Sequence, residues 1–228
     1  SIGAIAQKND TNENGETYAA TNASGSVNLT ATKGSINLTA TSANGNVYGF
    51  DSWNPVNNKL SGQAIYISAT TQNGNAYGVK VTKDENSANG VSNSYTSNYN
   101  EFKAISKPDS GEAYAIKAEH GTKIDVVSTA GDNNIGNWFE SNKTAVELTE
   151  GSVLNATGNT VIKGAENGLV VVGNGGNGTS TLAEGEENYQ VNIIGDLYAF
   201  AQENEQDSSA LDVSNGGAVN VTGNGIVN

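Results

Sequence analysis

One phrase recurs along this chain and constrains its fold more than any other feature. Near the end it reads Ala210-Leu211-Asp212-Val213-Ser214-Asn215-Gly216-Gly217-Ala218-Val219-Asn220-Val221-Thr222-Gly223. Apolar and polar residues alternate, a glycine turn follows, and the alternation resumes. Ala145 to Gly151 and on to Asn155 repeats the phrase, as does Ala115 to Gly121 and on to Asp125. In each copy six positions separate the leading Ala from its Gly, and four separate that Gly from an Asn or Asp. An early copy, Ala19 to Gly25, keeps the first spacing and brings Asn28 one place sooner. Short period-two strands joined at glycine turns and repeated along a chain predict a β-solenoid, in which each repeat buries its apolar side only by stacking on its neighbours.

A second phrase, Gly-x-x-Tyr, starts at Gly15, Gly45, Gly74, Gly111 and Gly195, with intervals of 30, 29, 37 and 84 residues. Coils of about 20 to 30 residues suit a parallel β-helix with two or three strands per turn, and three faces are expected. Gly25-Ser26-Val27-Asn28-Leu29-Thr30-Ala31-Thr32 is echoed nine residues on by Gly34-Ser35-Ile36-Asn37-Leu38-Thr39-Ala40-Thr41. Because strand side chains alternate between faces, Val27, Leu29 and Ala31 are expected inward and Asn28, Thr30 and Thr32 outward. Ile65, Ile67 and Ala69 form another inward set. Asn and Thr at equivalent positions are expected to stack into side-chain ladders.

Composition narrows the partners. The chain of 228 residues has 28 Gly, 2 Pro, no Cys and no Met; its eleven basic residues are all Lys, and the formal net charge is −13. Scattered lysines on an acidic chain do not make a phosphate-binding surface, so nucleic acid is not expected as a partner. No apolar run reaches the ~20 residues of a membrane span, so no membrane insertion is expected. The absence of Cys fits export through an oxidising compartment. The whole of 1–228 reads as a single β-helix domain.

Three stretches break the strand pattern and are expected to leave the rod as inserted loops: 51–61, with Trp53 and Pro55; 83–110, with Tyr95, Tyr99, Phe102 and Pro108, where Phe102 to Ile105 could rejoin the stack; and 132–143, with Trp138 and Phe139. Acidic stretches at 184–188 and 202–207 read the same way. Loops on a rigid solenoid commonly carry binding function. Trp53, Tyr95, Tyr99 and Trp138, set among Asn, Ser and Asp, are therefore the candidate ligand or adhesion residues. The alternative for each ring is that it covers a gap beneath its own loop.

The phrase ending Gly216-Gly217-Ala218-Val219-Asn220-Val221-Thr222-Gly223-Asn224 resembles the passenger domains of bacterial autotransporters, the self-secreted surface proteins of Gram-negative bacteria. The resemblance implies a right-handed parallel β-helix used for adhesion, self-aggregation or biofilm formation. It also implies extracellular display at the outer membrane through a C-terminal barrel not found in this sequence, so the chain is expected to be a fragment of a longer passenger.

Catalytic chemistry finds little support. The single His, His120, precedes the Gly121 turn and reads as an exposed turn residue, whereas triad chemistry needs a base in a pocket. Asp125 has no second carboxylate at coil spacing, as a glycan-cleaving pair would require. The acidic stretches match no calcium loop, and Gly173-Asn174-Gly175-Gly176-Asn177-Gly178 lacks the Asp of the calcium-binding glycine repeat. No catalytic residue, metal or cofactor is expected. The paired threonines Thr30/Thr32 and Thr39/Thr41 could begin a flat threonine array, but two copies do not make one. The reading that follows is an extracellular adhesin working by self-association of rods through long polar faces. The alternative is an adhesin that binds host or bacterial glycans or matrix proteins through its loops. A polysaccharide-degrading β-helix enzyme comes third.

Overall fold

The computed structural model describes residues 1–8, 15–54, 57–84, 91–107, 111–131, 134–173, 190–202 and 208–228. Its strands in chain order are β1 (Ile2–Lys8), β2 (Thr17–Asn22), β3 (Asn28–Thr30), β4 (Ile36–Ser42), β5 (Val47–Trp53), β6 (Asn58–Ser61), β7 (Ala64–Thr71), β8 (Ala76–Thr82), β9 (Ser92–Ser97), β10 (Tyr99–Ser106) and β11 (Ala113–Ala118). They continue as β12 (Lys123–Ser128), β13 (Ile135–Ser141), β14 (Thr144–Leu148), β15 (Val153–Thr157), β16 (Asn159–Gly164), β17 (Asn167–Val172), β18 (Val191–Ile194), β19 (Leu197–Ala201), β20 (Ser209–Ser214), β21 (Val219–Val221) and β22 (Gly225–Val227).

Every third strand joins the same sheet. An eight-stranded sheet runs β1-β4-β7-β10-β13-β16-β19-β22, and two seven-stranded sheets run β2-β5-β8-β11-β14-β17-β20 and β3-β6-β9-β12-β15-β18-β21. All pairings are parallel, as in β4 on β7 and β10 on β13. This is a three-sided parallel β-helix. The step from one coil to the next varies from 23 residues, Asn137 to Thr160, to 42, Asn167 to Ser209. That range is wider than the sequence suggested, because segments between strands differ in length while the strands keep register.

The recurring phrase is one corner of this helix. Its first half is a strand of the second sheet (β2, β11, β14 or β20), its glycine is the turn, and its second half is a strand of the third sheet (β3, β12, β15 or β21). His120-Gly121, Glu150-Gly151 and Asn215-Gly216 all turn this corner with positive φ, between 51° and 79°. His120 is thus a turn residue, its Nδ1 against the Glu150 carboxylate of the next coil.

The Gly-x-x-Tyr phrase is a second corner. Gly45, Gly74 and Gly111 stack so closely that a Cβ on Gly74 would lie 2.3 Å from the Gly45 carbonyl oxygen. Outside this corner Tyr18, Tyr48, Tyr77 and Tyr114 form a ring stack, with centroids 4.7, 5.0 and 5.8 Å apart and planes within 13°. Only the last copy departs: Tyr198 lies on β19, in the eight-stranded sheet.

Ile36, Leu38, Ile65, Ile67, Phe102, Phe139 and Ile162 fill the interior, all at most 2 % exposed. Buried asparagines line its edges. Asn58 is fully enclosed and makes four hydrogen bonds. Its Oδ1 accepts from Asn22 Nδ2 (2.7 Å) and the Val27 N–H (2.9 Å), and its Nδ2 donates to Ser52 Oγ (3.1 Å) and Asn93 Oδ1 (3.0 Å). A parallel ladder links Asn100, Asn137 and Thr160 at 3.0 and 3.1 Å. The expected side-chain ladders are thus present, and the best satisfied of them are inside. In a low-dielectric interior each such amide must find all its partners or cost stability.

The nine-residue echo has a different meaning from stacking. Leu29 and Ala31 face inward as expected, but β3 and β4 belong to different sheets. Thr30 stacks on Ser61 and Thr39 on Ser68, so the paired threonines form no array.

The segments expected as insertions are largely strands, and this corrects the sequence reading. Range 51–61 contains the end of β5 and all of β6; 83–110 contains β9 and β10; 132–143 contains β13. Pro55, Pro108, the acidic residues 184–188 and 203–207, and positions 174–178 of the glycine run lie outside the described residues.

Candidate functional site

Inward residues of β13 are Asn137, Phe139 and Ser141, all buried, so alternation turns Trp138 and Glu140 out from the eight-stranded sheet. Parallel register then builds columns along the rod. Trp138 lies between Glu101 of β10 and Val161 of β16, and Val161 is followed by Tyr198 of β19. Two positions along the strands, Lys103, Glu140, Lys163 and Phe200 form the neighbouring column.

Between these columns lies a groove of about 690 Å³. Trp138, Tyr198 and Phe200 contribute rings, and Val161 lines it at only 4 % exposure although it faces outward. Ile135 extends the apolar wall, while Asn159, Lys163 and Gln202 bring polar groups to the rim. Flat apolar rings with a few hydrogen-bonding groups are the usual composition of a small-molecule or sugar site.

Electrostatics fix Trp138. Its indole N–H donates to Glu140 Oε2 at 3.2 Å. Lys103 Nζ holds the same carboxylate at 3.1 Å, and Lys163 Nζ its other oxygen at 3.2 Å. Partial burial raises the Glu140 carboxyl, but hydrogen bonds and charge from Lys103, with Trp138 and Lys163, outweigh it and hold the group below the ordinary carboxylate range. The carboxylate stays ionised at neutral pH and orients the indole.

The four sequence candidates separate. Trp138 lines the groove. Tyr99 lies on β10 of the same sheet, its hydroxyl donating to Glu101 Oε2 (3.1 Å) and its ring 6.0 Å from that of Tyr66. Trp53 ends β5 on another sheet and is half exposed. Tyr95 is a core residue, which corrects its placement on a loop: β9 turns it inward, where it packs edge-on to Phe102 at 4.8 Å and its hydroxyl accepts from Asn93 Nδ2. Asp125 lies between Ser94 and Asn155 in register, accepting from Asn155 Nδ2 at 2.8 Å.

Ile135, Val161, Tyr198 and Phe200 were not among the sequence candidates. The signal available for Tyr198 and Phe200 was their place in the fifth Gly-x-x-Tyr phrase, which reads as another copy of the tyrosine corner.

Compared with known proteins, the chain is matched by no family model, no curated protein and no solved structure.

Proposed function

We propose that this chain is a non-enzymatic adhesive rod displayed outside a bacterial cell, of the autotransporter-passenger kind, and that it holds a carbohydrate in the Trp138–Tyr198 groove. The observation that carries this reading is the groove itself: three aromatic rings and polar rim groups held on a paired, parallel sheet. A sugar presents apolar C–H faces to rings and hydroxyls to polar neighbours, and a preformed site reduces the ordering cost of binding. Binding of oligosaccharides to the full chain tests it. Trp138→Ala is expected to abolish binding, and Trp53→Ala, on another sheet, to leave it unchanged. Equal effects of the two substitutions, or no saccharide bound at all, would overturn the reading.

A second reading, self-association of rods, has its own support in the third sheet. There Asn28, Lys59, Ser94, Asp125, Asn155, Asn192 and Asn220 form one outward row across seven coils. Such a face suits many weak hydrogen bonds acting together. Sedimentation velocity across a wide concentration range decides it. A dimer that forms with concentration and is lost in Asn155→Lys favours this face, and a monomer throughout rejects it.

A further inference from the structure

The groove is the lower part of a longer track. On the outward face of the eight-stranded sheet, one column reads Tyr66, Glu101, Trp138, Val161, Tyr198 on five successive coils. Its rings therefore fall on alternate coils. In the adjacent column the residues of the same coils are Ser68, Lys103, Glu140, Lys163 and Phe200, so the lysines occupy the coils the rings leave out. Ring, cation, ring, cation, ring follow one another along the rod axis. Neighbouring strands lie about 4.8 Å apart, so the rings repeat every ~10 Å and the track from Tyr66 to Tyr198 spans roughly 19 Å.

We propose that this track binds an extended acidic polysaccharide with a two-sugar repeat, laid along the rod axis, with one sugar stacking on a ring and the next, a uronic acid, placing its carboxylate against a lysine. The inference rests on the carbohydrate reading above and adds the ligand's charge, length and direction. An extended disaccharide is about as long as two coils, so one repeat advances from Tyr66 to Trp138 and the next from Trp138 to Tyr198. No rearrangement of the sheet is needed, because the periodicity of the rod supplies that of the ligand.

The local charge of the track admits the same ligand class. The chain carries a formal net charge of −13. On the track two lysines share the Glu140 carboxylate, and Glu101, which accepts from the Tyr99 hydroxyl, brings these four charged groups to neutrality. This strip thus lacks the charge that would repel a polyanion from the molecule as a whole. Glu140 competes with an incoming carboxylate for both lysines, which gives the proposal a specific handle.

Calorimetric titration of the full chain tests it with four probes. These are a hexasaccharide of alternating glucuronic acid and N-acetylglucosamine, a neutral β-1,4-linked N-acetylglucosamine hexamer, and the disaccharide of each. The acidic hexamer is expected to bind about tenfold more tightly than the neutral one at ~0.15 M salt. There the negative charge of the whole chain is screened beyond about 8 Å while the short lysine contacts persist, and the gap should narrow at low salt. Tyr66→Ala is expected to weaken hexamer binding roughly five- to tenfold and leave disaccharide binding unchanged, while Tyr66→Phe restores it. Glu140→Gln should tighten the acidic hexamer several-fold and not the neutral one. Tyr66 is outward and partly exposed, so its removal does not threaten folding. Equal affinity for acidic and neutral hexamers, or no effect of Tyr66→Ala on the hexamers, overturns this proposal and leaves the groove reading standing. Failure of every saccharide to bind overturns both.

Discussion

Replacing Asn58 with Leu keeps the side chain's branched heavy-atom outline, though with larger methyl groups, and deletes its four hydrogen bonds, so it probes what the interior ladder contributes. Ser52 Oγ still accepts from Asn93 Nδ2 at 2.9 Å, and Asn22 Nδ2 retains the Gly25 carbonyl at 3.3 Å. Two groups lose the partner found here: the Val27 N–H and Asn93 Oδ1. Each buried polar group left without a partner costs about 1–3 kcal/mol, and added apolar burial offsets part of this, so a net loss of roughly 3 kcal/mol is expected. Asn155→Leu, on the outer face of the third sheet, is expected to change stability by no more than about 0.5 kcal/mol. Urea unfolding followed by circular dichroism reads both, with the midpoint separating a stability change from a change in the surface exposed. Adding Asn93→Leu to Asn58→Leu should cost less than the sum of the single changes by about 1 kcal/mol, because the stranded acceptor is removed. A loss below about 1 kcal/mol for Asn58→Leu, or strict additivity with Asn93→Leu, would refute the view that these amides depend on one another.

Burial, opposed by Lys80 and reinforced by Glu16, raises the Asp51 carboxyl to about 6. A carboxyl raised on folding weakens the fold above that pH and ceases to do so below the unfolded value, so Asp51→Asn should stabilise the chain at pH 8 by up to about 3 kcal/mol and have no effect below about pH 4; denaturation at the two pH values checks this. Glu140 has the opposite sign: its contribution is present above the ordinary carboxylate range and lost as pH falls through its lowered value, so Glu140→Gln should flatten the acid limb of a stability profile. Gly74→Ala combines a positive φ with backbone contact and should cost at least about 2–4 kcal/mol, whereas Gly216→Ala, with φ of 79° but open space, should cost about 1 kcal/mol; thermal unfolding compares them.

Strands whose inward set is Val, Ile, Leu and Ala were legible from alternation alone, as in Ala64–Thr71. Those with interior amides were not. In β9 the inward residues are Asn93, Tyr95 and Ser97, and in β13 they are Asn137, Phe139 and Ser141. Each flanks one large apolar residue with buried polar ones, while Trp138 faces out, so the period-two signal cancels and the stretch reads as a loop. A better signal was present: Asn, then an apolar residue two places on, at Asn58-x-Leu60, Asn93-x-Tyr95, Asn100-x-Phe102 and Asn137-x-Phe139. The groove was legible only through Trp138. Apart from Ile135 on the same strand, its apolar walls come from β16 and β19, more than twenty residues further along the chain, and only coil register brings them together.

Fluorescence of Trp138 tests the central claim most directly. With Trp53→Phe removing the second indole, Trp138 reports alone from the wall of the groove. Titration with the neutral and acidic oligosaccharides should then give a saturable change in its emission, lost when Tyr198→Ala removes the second ring of the same column. Emission that stays constant across both sugars, or a change that survives loss of Tyr198, would contradict the account.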